Sequence, residues 1–385
     1  MSLSHSPKIA TNGLVFAYDM GNYNKSWKGA PTTNLAGSNF FGGNGNFTIN
    51  RTISDKMPDD TIGNVRELNA QIVTDGNRTV SIGSYSMTAG STYTLSFYVK
   101  NVSCTGFGGN LYSPTLGRVI GSIVYPPTNS KTWTRVVTTF TVPNEGPNPV
   151  TMSPQVFRDG GIGIFKLCWL MVEQSNIVAA YTPTSRSNTE AIVDWTDKNT
   201  ITANSLTYNS DGSTDLDGIN DYITFGNNTS ISSIGGTSSI TVEAWVKYDA
   251  YVGNNGAQSY SVVTHKGSPW TWLMENPGNK GRIRFIIGGS DVNCTDTDTH
   301  PLNTWMHWVG LYDGTNMRFY RNGVLKNTVA ATGTLASNSL AATVGQYNSS
   351  YRMNGQVSIV KIYNRALSAS EVAQNFNALR GRYGI

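Results

Sequence analysis

The fold is decided by residues 239–247, which read Ser-Ile-Thr-Val-Glu-Ala-Trp-Val-Lys. Apolar residues at every second position from Ile240 to Val246 alternate with Thr241, Glu243 and Lys247. This period of two is typical of a β-strand that buries one face and exposes the other. The stretch therefore predicts a β-sheet whose apolar face lies in a core.

The sequence downstream continues this pattern and adds the signals that connect strands. Asn322-Gly323 lies between two strand-like runs and supplies the positive φ angles of a type I′ hairpin turn. Ser368 and Glu371 have the spacing of a capping box, and Val372, Phe376 and Leu379 follow on one helical face. The C-terminal third is thus predicted to be a β-sandwich with one short helix packed on it.

These markers together resemble a known domain. The stretches that carry the resemblance are residues 215–222 (DLDGINDY), 239–247, 304–309 (TWMHWV), 319–325 (FYRNGVL) and 355–368 (GQVSIVKIYNRALS). Their order resembles the laminin-G-like, concanavalin-type jelly roll. The resemblance implies two facing sheets in a domain type that usually binds and rarely catalyses, so we expect the function to lie on a surface.

Composition limits the class of protein. The 385 residues include 40 glycines, 11% aromatic and 14% charged residues, and a net charge of +4. Such a chain has room for two sandwiches and fits all-β structure with many turns. No basic run interleaves with aromatic residues, so nucleic-acid binding is not expected. Cys104, Cys168 and Cys294 are too scattered for a disulfide framework, and Cys168 is expected to be a buried thiol.

Residues 33–186 have a strand pattern of their own. Strands are predicted at 91–100, 132–142 and 161–169, and the segment ends in Tyr181-Thr182-Pro183. This order resembles the galactose-binding-like jelly roll of many carbohydrate-binding modules. The fold class predicted for the chain is therefore all-β, with two jelly-roll sandwiches.

The N-terminal segment suggests how the two sandwiches are connected. Residues 5–19 (HSPKIATNGLVFAYD) resemble the opening of a family of tailed-phage virion proteins, in which this strand belongs to the laminin-G-like sandwich. The next elements of that family match Trp195-Thr196-Asp197 and residues 217–222, far along the chain. We therefore expect an arm at 1–11, a first strand within 12–32, an inserted module at 33–186 and the rest of the sandwich at 187–385. Leu14–Tyr18 should pair with a strand near Val357–Tyr363. Two independent tandem domains are the alternative.

The tryptophans fall into two groups. Those inside alternating strands are expected to lie in the core: Trp133, Trp169, Trp245, Trp305 and Trp308. Trp270 and Trp272 follow a Gly-Ser-Pro loop signal, and strand alternation places both on one face. As exposed rings they would suit the apolar face of a sugar. The alternative is that both pack inside the second sheet.

An acidic stretch near these rings offers oxygen ligands. Asp291, Asp296 and Asp298 lie close together in sequence, and calcium prefers such ligands. We expect this stretch to line the same glycan groove, with Ca²⁺ as a candidate ligand; a solvated acidic loop is the alternative. Asp217, Asn220 and Asp221 are expected to form a turn instead, as Asp and Asn commonly do.

Catalysis has little support in the sequence. The four histidines have no metal-ligand spacing, and no serine lies in a GxSxG elbow. Glycosidases of lectin-like fold need two carboxylates facing each other across a cleft, whereas Glu243 is isolated on its strand. We therefore expect a binding protein and not an enzyme.

The resemblances together predict an exposed structural protein at the virion surface of a tailed phage, in the form of a head fibre, capsid decoration or tail appendage. Its expected partners are other virion proteins and surface glycans, and it is expected to form a homo-oligomer, with a trimer as one candidate. No membrane-spanning segment or secretion signal is predicted. A receptor-binding tip of a tail fibre and a cement protein without ligand are the alternatives.

Overall fold

The computed structural model describes residues 8–22, 25–36, 49–70, 79–103, 108–123, 131–157, 163–183, 185–251, 260–267, 271–277, 279–347 and 351–385. These residues are mostly β-strands arranged in several sheets, with a short C-terminal helix. The predicted all-β jelly-roll fold is confirmed.

The first thirteen strands in chain order are β1 Leu14–Asp19, β2 Thr32–Thr33, β3 Ile49–Lys56, β4 Ile62–Ala70, β5 Thr79–Ser81, β6 Tyr85–Met87, β7 Thr92–Asn101, β8 Gly108–Ser113, β9 Arg118–Ile123, β10 Thr134–Thr141, β11 Val150–Phe157, β12 Gly163–Glu173 and β13 Ser185–Arg186. The next nine are β14 Thr202–Asn204, β15 Thr207–Asn209, β16 Ser213–Asp217, β17 Tyr222–Thr224, β18 Ile240–Tyr248, β19 Tyr260–Lys266, β20 Trp272–Pro277, β21 Arg282–Ile287 and β22 Ser290–Thr295. The last seven are β23 Met306–Tyr312, β24 Asn316–Arg321, β25 Val324–Ala330, β26 Ala342–Val344, β27 Gln346–Tyr347, β28 Tyr351–Arg352 and β29 Asn354–Tyr363. The helices are α1 Thr229–Ser232 and α2 Ala369–Leu379, and a 3₁₀ turn follows at Arg380–Tyr383.

The chain divides into two compact units. Unit 1 comprises the described residues of 1–28 and of 188–385, and unit 2 comprises those of 29–187. The chain of unit 1 is thus in two parts, and unit 2 lies between them in sequence.

The first sheet of unit 1 has the strand order β15-β16-β29-β18-β23-β24-β25, and β1 also pairs with β29. In this antiparallel pairing Leu14 lies opposite Tyr363 and Asp19 lies opposite Ile359. The predicted pairing of the N-terminal strand with the C-terminal strand is therefore confirmed. The segment around Trp195 is held beside β1, because the Trp195 amide donates to the Ala17 carbonyl at 2.7 Å.

The second sheet of unit 1 has the order β14-β17-β26-β19-β20-β21-β22, and β27 and β28 form a separate hairpin that packs against β19. The inner faces of the two sheets bury large side chains, among them Phe16, Phe225, Tyr248 and Trp308. Phe16 and Phe225 stack with their ring centroids 3.9 Å apart. Burial of these rings stabilises unit 1.

The outer face of the first sheet is covered by α2, which begins with the predicted capping box at Ser368 and Glu371. Beneath the helix Glu243 is fully buried, and three side chains lie close to its carboxylate. Lys361 Nζ lies 2.6 Å from Oε1, His307 Nε2 lies 3.1 Å from Oε1, and Asn375 Nδ2 lies 2.6 Å from Oε2. Burial opposes ionisation, but Lys361 and then His307 outweigh it and lower the pKa of Glu243 to about 2. The carboxylate is therefore a structural anion that binds the helix to the sheet.

Unit 2 is built from a five-stranded sheet, β10-β7-β12-β4-β3, and a second sheet, β5-β11-β8-β9, with β6 also on β11. Apolar side chains on the inner face of the first of these, including Leu95, Phe97, Phe165 and Leu167, form the core. The short pair β2–β13 lies near the two ends of the unit. Asn34 is buried there and its amide donates to the Thr182 carbonyl at 2.8 Å, which joins the beginning of the unit to its end.

Several local predictions can be compared with the structure. Asn322 and Gly323 have φ angles of 52° and 77° between β24 and β25, as a type I′ turn requires. Cys168 is a buried free thiol as predicted, whereas Cys104 lies outside the described residues. Across the described part of the chain, no helix is long and apolar enough to span a membrane.

The prediction for the tryptophans is partly wrong. Trp245 and Trp308 are fully buried, as expected. Trp133, Trp169 and Trp305 are only half-buried. Trp133 and Trp305 precede their strands, so strand alternation does not govern where their rings lie. Trp169 lies at an irregularity of β12 between Cys168 and Met171 and has a φ of 56°, and a bulge of this kind redirects a side chain.

Candidate functional site

The outer face of the second sheet of unit 1 carries a cluster of aromatic and polar side chains that are buried or half-buried. Thr224 pairs with Thr343, and Thr343 pairs with His265, so these three side chains share one face. Tyr222 lies two residues before Thr224 and points to the same face. The inner face of the same strands carries Ile223 and Val344, both fully buried.

The hairpin β27–β28 adds more rings to this face. Tyr347 lies edge-on to His265 with ring centroids 4.8 Å apart, and Tyr351 stacks on Tyr347 at 5.6 Å. The guanidinium of Arg352 lies over the Tyr222 ring, 5.7 Å from its centroid. We call this set (Tyr222, His265, Tyr347, Tyr351 and Arg352) the tyrosine surface.

Hydrogen bonds and burial fix the centre of the tyrosine surface. His265 Nδ1 lies 2.9 Å from Thr343 Oγ1, and that hydroxyl donates to the Gln346 carbonyl at 2.8 Å. Burial, with a smaller contribution from the neighbouring Lys266, lowers the pKa of His265 to about 4, so the imidazole is neutral at pH 7. The rings are thus held by neutral groups, and the positive charge of this surface comes from Arg352.

Farther along the same outer face the side chains are charged and paired. Glu275 accepts from Arg282 Nε at 2.8 Å and lies 3.3 Å from Arg284 Nη1, and Arg284 also binds Asp291. Glu275 itself is 2% exposed. These ion pairs cross β20, β21 and β22 and occupy the carboxylates, so this part of the face acts as a support for the sheet.

The predicted sugar platform at Trp270 and Trp272 does not form as expected. Trp272 is fully buried, and its indole nitrogen lies 3.4 Å from Thr264 Oγ1 on the inner side of the sheet. A ring in the core cannot stack on an external sugar, so the prediction for Trp272 is wrong and the core alternative is correct. Trp270 lies outside the described residues.

The three aspartates predicted to line one acidic groove lie at different places in the structure. Asp291 is near the start of β22, whereas Asp296 and Asp298 follow its end, and five residues of strand span roughly 16 Å. Asp291 binds Arg284, Asp296 Oδ2 lies 3.1 Å from Arg321, and Asp298 lies 2.7 Å from Lys326. The three carboxylates therefore neutralise basic side chains and do not converge on one calcium ion.

In the parts of the chain that the structure describes, no three His, Cys, Asp or Glu residues are placed to hold a metal ion. The predicted turn at Asp217, Asn220 and Asp221 is present. Asp217 Oδ1 accepts from the Ile219 amide at 2.7 Å, and Asp221 Oδ2 accepts from the Asp217 amide at 3.0 Å. These carboxylates form the turn between β16 and β17.

Comparison with known proteins supports the fold of unit 1. Residues 217–373 match the model of the concanavalin A-like lectin/glucanases superfamily. This segment is concanavalin A-like. It contains β18, β29 and the tyrosine surface, and it ends within α2.

Solved structures with partial similarity include the binding domain of botulinum neurotoxin serotype G, with 17% identity over 49% of this chain and 48% of that chain and a TM-score of 0.41. Another is the binding domain of Paraclostridial Mosquitocidal Protein 1, with 17% identity over 49% of each chain and a TM-score of 0.43. The chain spans about half the length of these structures. No curated protein with a matching sequence is found.

The tyrosine surface was missed by sequence reasoning, although a partial signal exists. Tyr347 and Tyr351 lie four residues apart in a Gly-, Asn- and Ser-rich stretch, which is typical of a hairpin. Rings near a turn have fewer neighbours to bury them than rings in a strand centre. Their meeting with His265 and Tyr222 depends on the order of strands in the sheet, which no local pattern encodes.

Proposed function

We propose that the protein binds surface glycans without catalysis and that the tyrosine surface of unit 1 is the contact. The observation that supports this most directly is the cluster of rings on one outer sheet face, in which the half-buried Tyr347 packs on the buried His265 and the half-buried Tyr351 stacks on Tyr347. Tyrosine combines an apolar ring face with a hydroxyl group, so it suits the alternating C–H and O–H groups of a sugar. Arg352 adds a guanidinium donor for hydroxyl oxygens beside these rings.

The binding that we propose is non-catalytic, and the positions of the buried Glu243 and Glu275 support this. A glycosidase needs an acid and a second carboxylate about 5–10 Å apart with access to substrate. Glu275 is buried and bound by two arginines, and Glu243 lies beneath α2 on the other sheet. Neither is placed to protonate a glycosidic oxygen at the tyrosine surface.

The test is glycan binding by the recombinant chain and by ring-deletion variants. Tyr351→Ala and Tyr347→Ala should each weaken binding by roughly tenfold or more, which is the scale of losing one aromatic stacking contact. Tyr351→Phe keeps the ring and should retain most of the binding. Val324→Ala, at an exposed position on the other sheet, is the control. If binding persists in a Tyr347→Ala/Tyr351→Ala double variant that folds normally, the tyrosine surface is not the site.

The setting proposed for this activity is the surface of a tailed-phage virion, where the protein would act as a head fibre, capsid decoration or tail appendage beside other virion proteins. The resemblance of residues 5–19 and 195–197 to such a family supports this setting. Unit 2 is proposed to be an inserted module of the carbohydrate-binding type, and the protein to be a homo-oligomer, with a trimer as the first candidate.

Two alternatives, a receptor-binding tip of a tail fibre and a cement protein without ligand, predict different experimental results. Antibody labelling of intact particles that is confined to the tail end would favour a receptor-binding tip. Absence of binding to any glycan, together with particles that break when the protein is deleted, would favour a cement protein. Labelling that fails on every particle would refute the virion setting.

A further inference from the structure

Unit 2 has a pocket of its own on the outer face of its five-stranded sheet. It is lined by Lys56, Met57, Pro58, Asp60, Lys100, Lys131, Thr132 and Trp133. Lys100 comes from β7, whereas Trp133 precedes β10 at one edge of the sheet and Lys56 ends β3 at the other. The Trp133 indole nitrogen donates to the Lys56 carbonyl at 2.8 Å, and this bond fixes the ring as one wall of the pocket.

Positive charges outnumber negative charges in this pocket. Three ammonium groups and one carboxylate line it, and that carboxylate, Asp60, lies 2.9 Å from Lys56 Nζ. Lys131 Nζ donates to the Val102 carbonyl at 2.7 Å, and Lys100 Nζ lies 5.9 Å from the centroid of the Trp133 ring. Among the described residues, neither Lys100 nor Lys131 has a carboxylate within ion-pair distance. Within the described part of unit 2, these two cationic groups thus face the pocket without a carboxylate at ion-pair distance.

The acidic side chains behind the pocket are already engaged. Asp55 binds Lys166, and this bond, more than the weaker influence of Lys100, lowers the pKa of Asp55. Glu67 is 7% exposed and also lies near Lys166, at 3.8 Å. These carboxylates neutralise Lys166 and leave Lys100 and Lys131 for a ligand.

Aromatic rings continue along the same outer face beyond the pocket. Tyr98 lies two residues before Lys100 on β7 and therefore points to the same side. Trp169 meets Tyr98 edge-on at 5.5 Å and stacks on Tyr181 at 5.3 Å. The positive φ of Trp169 is a costly conformation for such a bulky residue. It brings this ring to the outer face and not to the core.

We infer that unit 2 binds an acidic oligosaccharide along this face, with a sugar carboxylate paired by Lys100 and Lys131 and a sugar ring against Trp133. Two separate ammonium groups are point charges that suit the carboxylate of a uronic acid. The indole wall suits the apolar face of a pyranose, and the rings at Tyr98 and Trp169 extend the contact to a second sugar. This site belongs to unit 2 alone and does not depend on the tyrosine surface.

The test uses the full chain and an oligosaccharide of glucuronic acid, with the neutral glucose oligomer of the same length and inorganic phosphate as separate probes. Binding of the acidic probe is measured by calorimetry at low and at moderate salt. Lys131→Gln and Lys100→Gln should each weaken it by roughly tenfold, because a hydrogen bond to a charged group is worth at least that factor. Arg118→Gln, which removes one exposed positive charge elsewhere in unit 2, should leave the affinity unchanged.

The role of the aromatic wall is tested with Trp133→Phe, which keeps a ring but loses the bond to Lys56, and with Trp133→Ala. Phenylalanine should retain more of the affinity than alanine. Equal binding of the neutral and acidic oligomers, unchanged affinity in Lys100→Gln/Lys131→Gln, or binding of phosphate but of neither oligomer would each overturn the inference. Tyr347→Ala should not alter this binding, so its result separates the two sites.

Discussion

Replacement of Glu243 by leucine tests the buried network beneath α2 most directly. The substitution removes the acceptor of Lys361 and Asn375 and the carboxylate beside His307, and it leaves the Lys361 ammonium 1% exposed without an anion. Removal of one partner from a buried ion pair destabilises a protein by about 3–5 kcal/mol. We therefore expect Glu243→Leu to lower the free energy of unfolding of unit 1 by that amount.

A double variant distinguishes the destabilisation caused by an unpaired, buried Lys361 from the net contribution of the Glu243–Lys361 ion pair to stability. Glu243→Leu/Lys361→Met removes both charges, and such replacements are often neutral or stabilising. The double variant should therefore recover at least half of the stability that the single variant loses. Asp298→Ala is the matched control, because it breaks a Lys326 pair at an exposed carboxylate and should cost less than about 1 kcal/mol.

The assay is denaturant unfolding of the full chain, with a separate pH series on the wild type and on Glu243→Leu. The pKa of Glu243 is lowered, so its contribution is fully present above the unfolded value near 4.5 and is lost as the pH falls toward 2. The variant should lack this acid-dependent part. A loss below about 1 kcal/mol, or a double variant as unstable as the sum of its single changes, would refute the reasoning.

Two further predictions concern burial. Trp272→Ala should destabilise unit 1 by about 3–5 kcal/mol, as should Trp245→Ala and Trp308→Ala, because each ring is fully buried; unchanged denaturation midpoints would place the rings at the surface. Burial, which outweighs Arg186, raises the pKa of Glu173 to about 7, so the contribution of Glu173 to the stability of unit 2 should be fully present below about pH 4.5 and be lost as the pH rises through 7. Thermal unfolding of Glu173→Gln should lack this decline, and a variant that keeps it would show that another group is responsible.

Sequence predicts most reliably those features that depend on neighbouring residues. The β18 strand, the Asn322-Gly323 turn and the Ser368 capping box each involve fewer than ten consecutive residues, and each is present in the structure. The exposed face expected for β18 is wrong, because α2 covers Glu243 and Trp245 on that face. The pairing of β1 with β29 joins opposite ends of the chain. It was predicted from a family resemblance, because no local pattern carries that information.

The errors have a physical basis that is equally specific. Strand alternation predicts that Trp272 lies on the same face of its strand as residues 270 and 274. It does not show whether that face is the inner or the outer face of the sheet. Asp291 and Asp296 are close in sequence, yet an extended strand places them at opposite ends of β22. The irregularity of β12 at Trp169 breaks the period of two and turns the ring outward. Each error arises where tertiary structure overrides a local rule.

The pairing of β1 with β29 also has a consequence for biosynthesis. About 335 residues separate Asp19 from Asn354, and a ribosome adds roughly 5–20 residues per second, so β1 waits on the order of 20–70 s for its partner. Its sequence, Leu-Val-Phe-Ala-Tyr, is apolar, and its sheet pairing forms only when that partner arrives. Unit 2 is complete long before then. The nascent chain therefore carries one finished domain and one unpaired, aggregation-prone strand, and ribosome-associated chaperones are expected to bind this strand during translation.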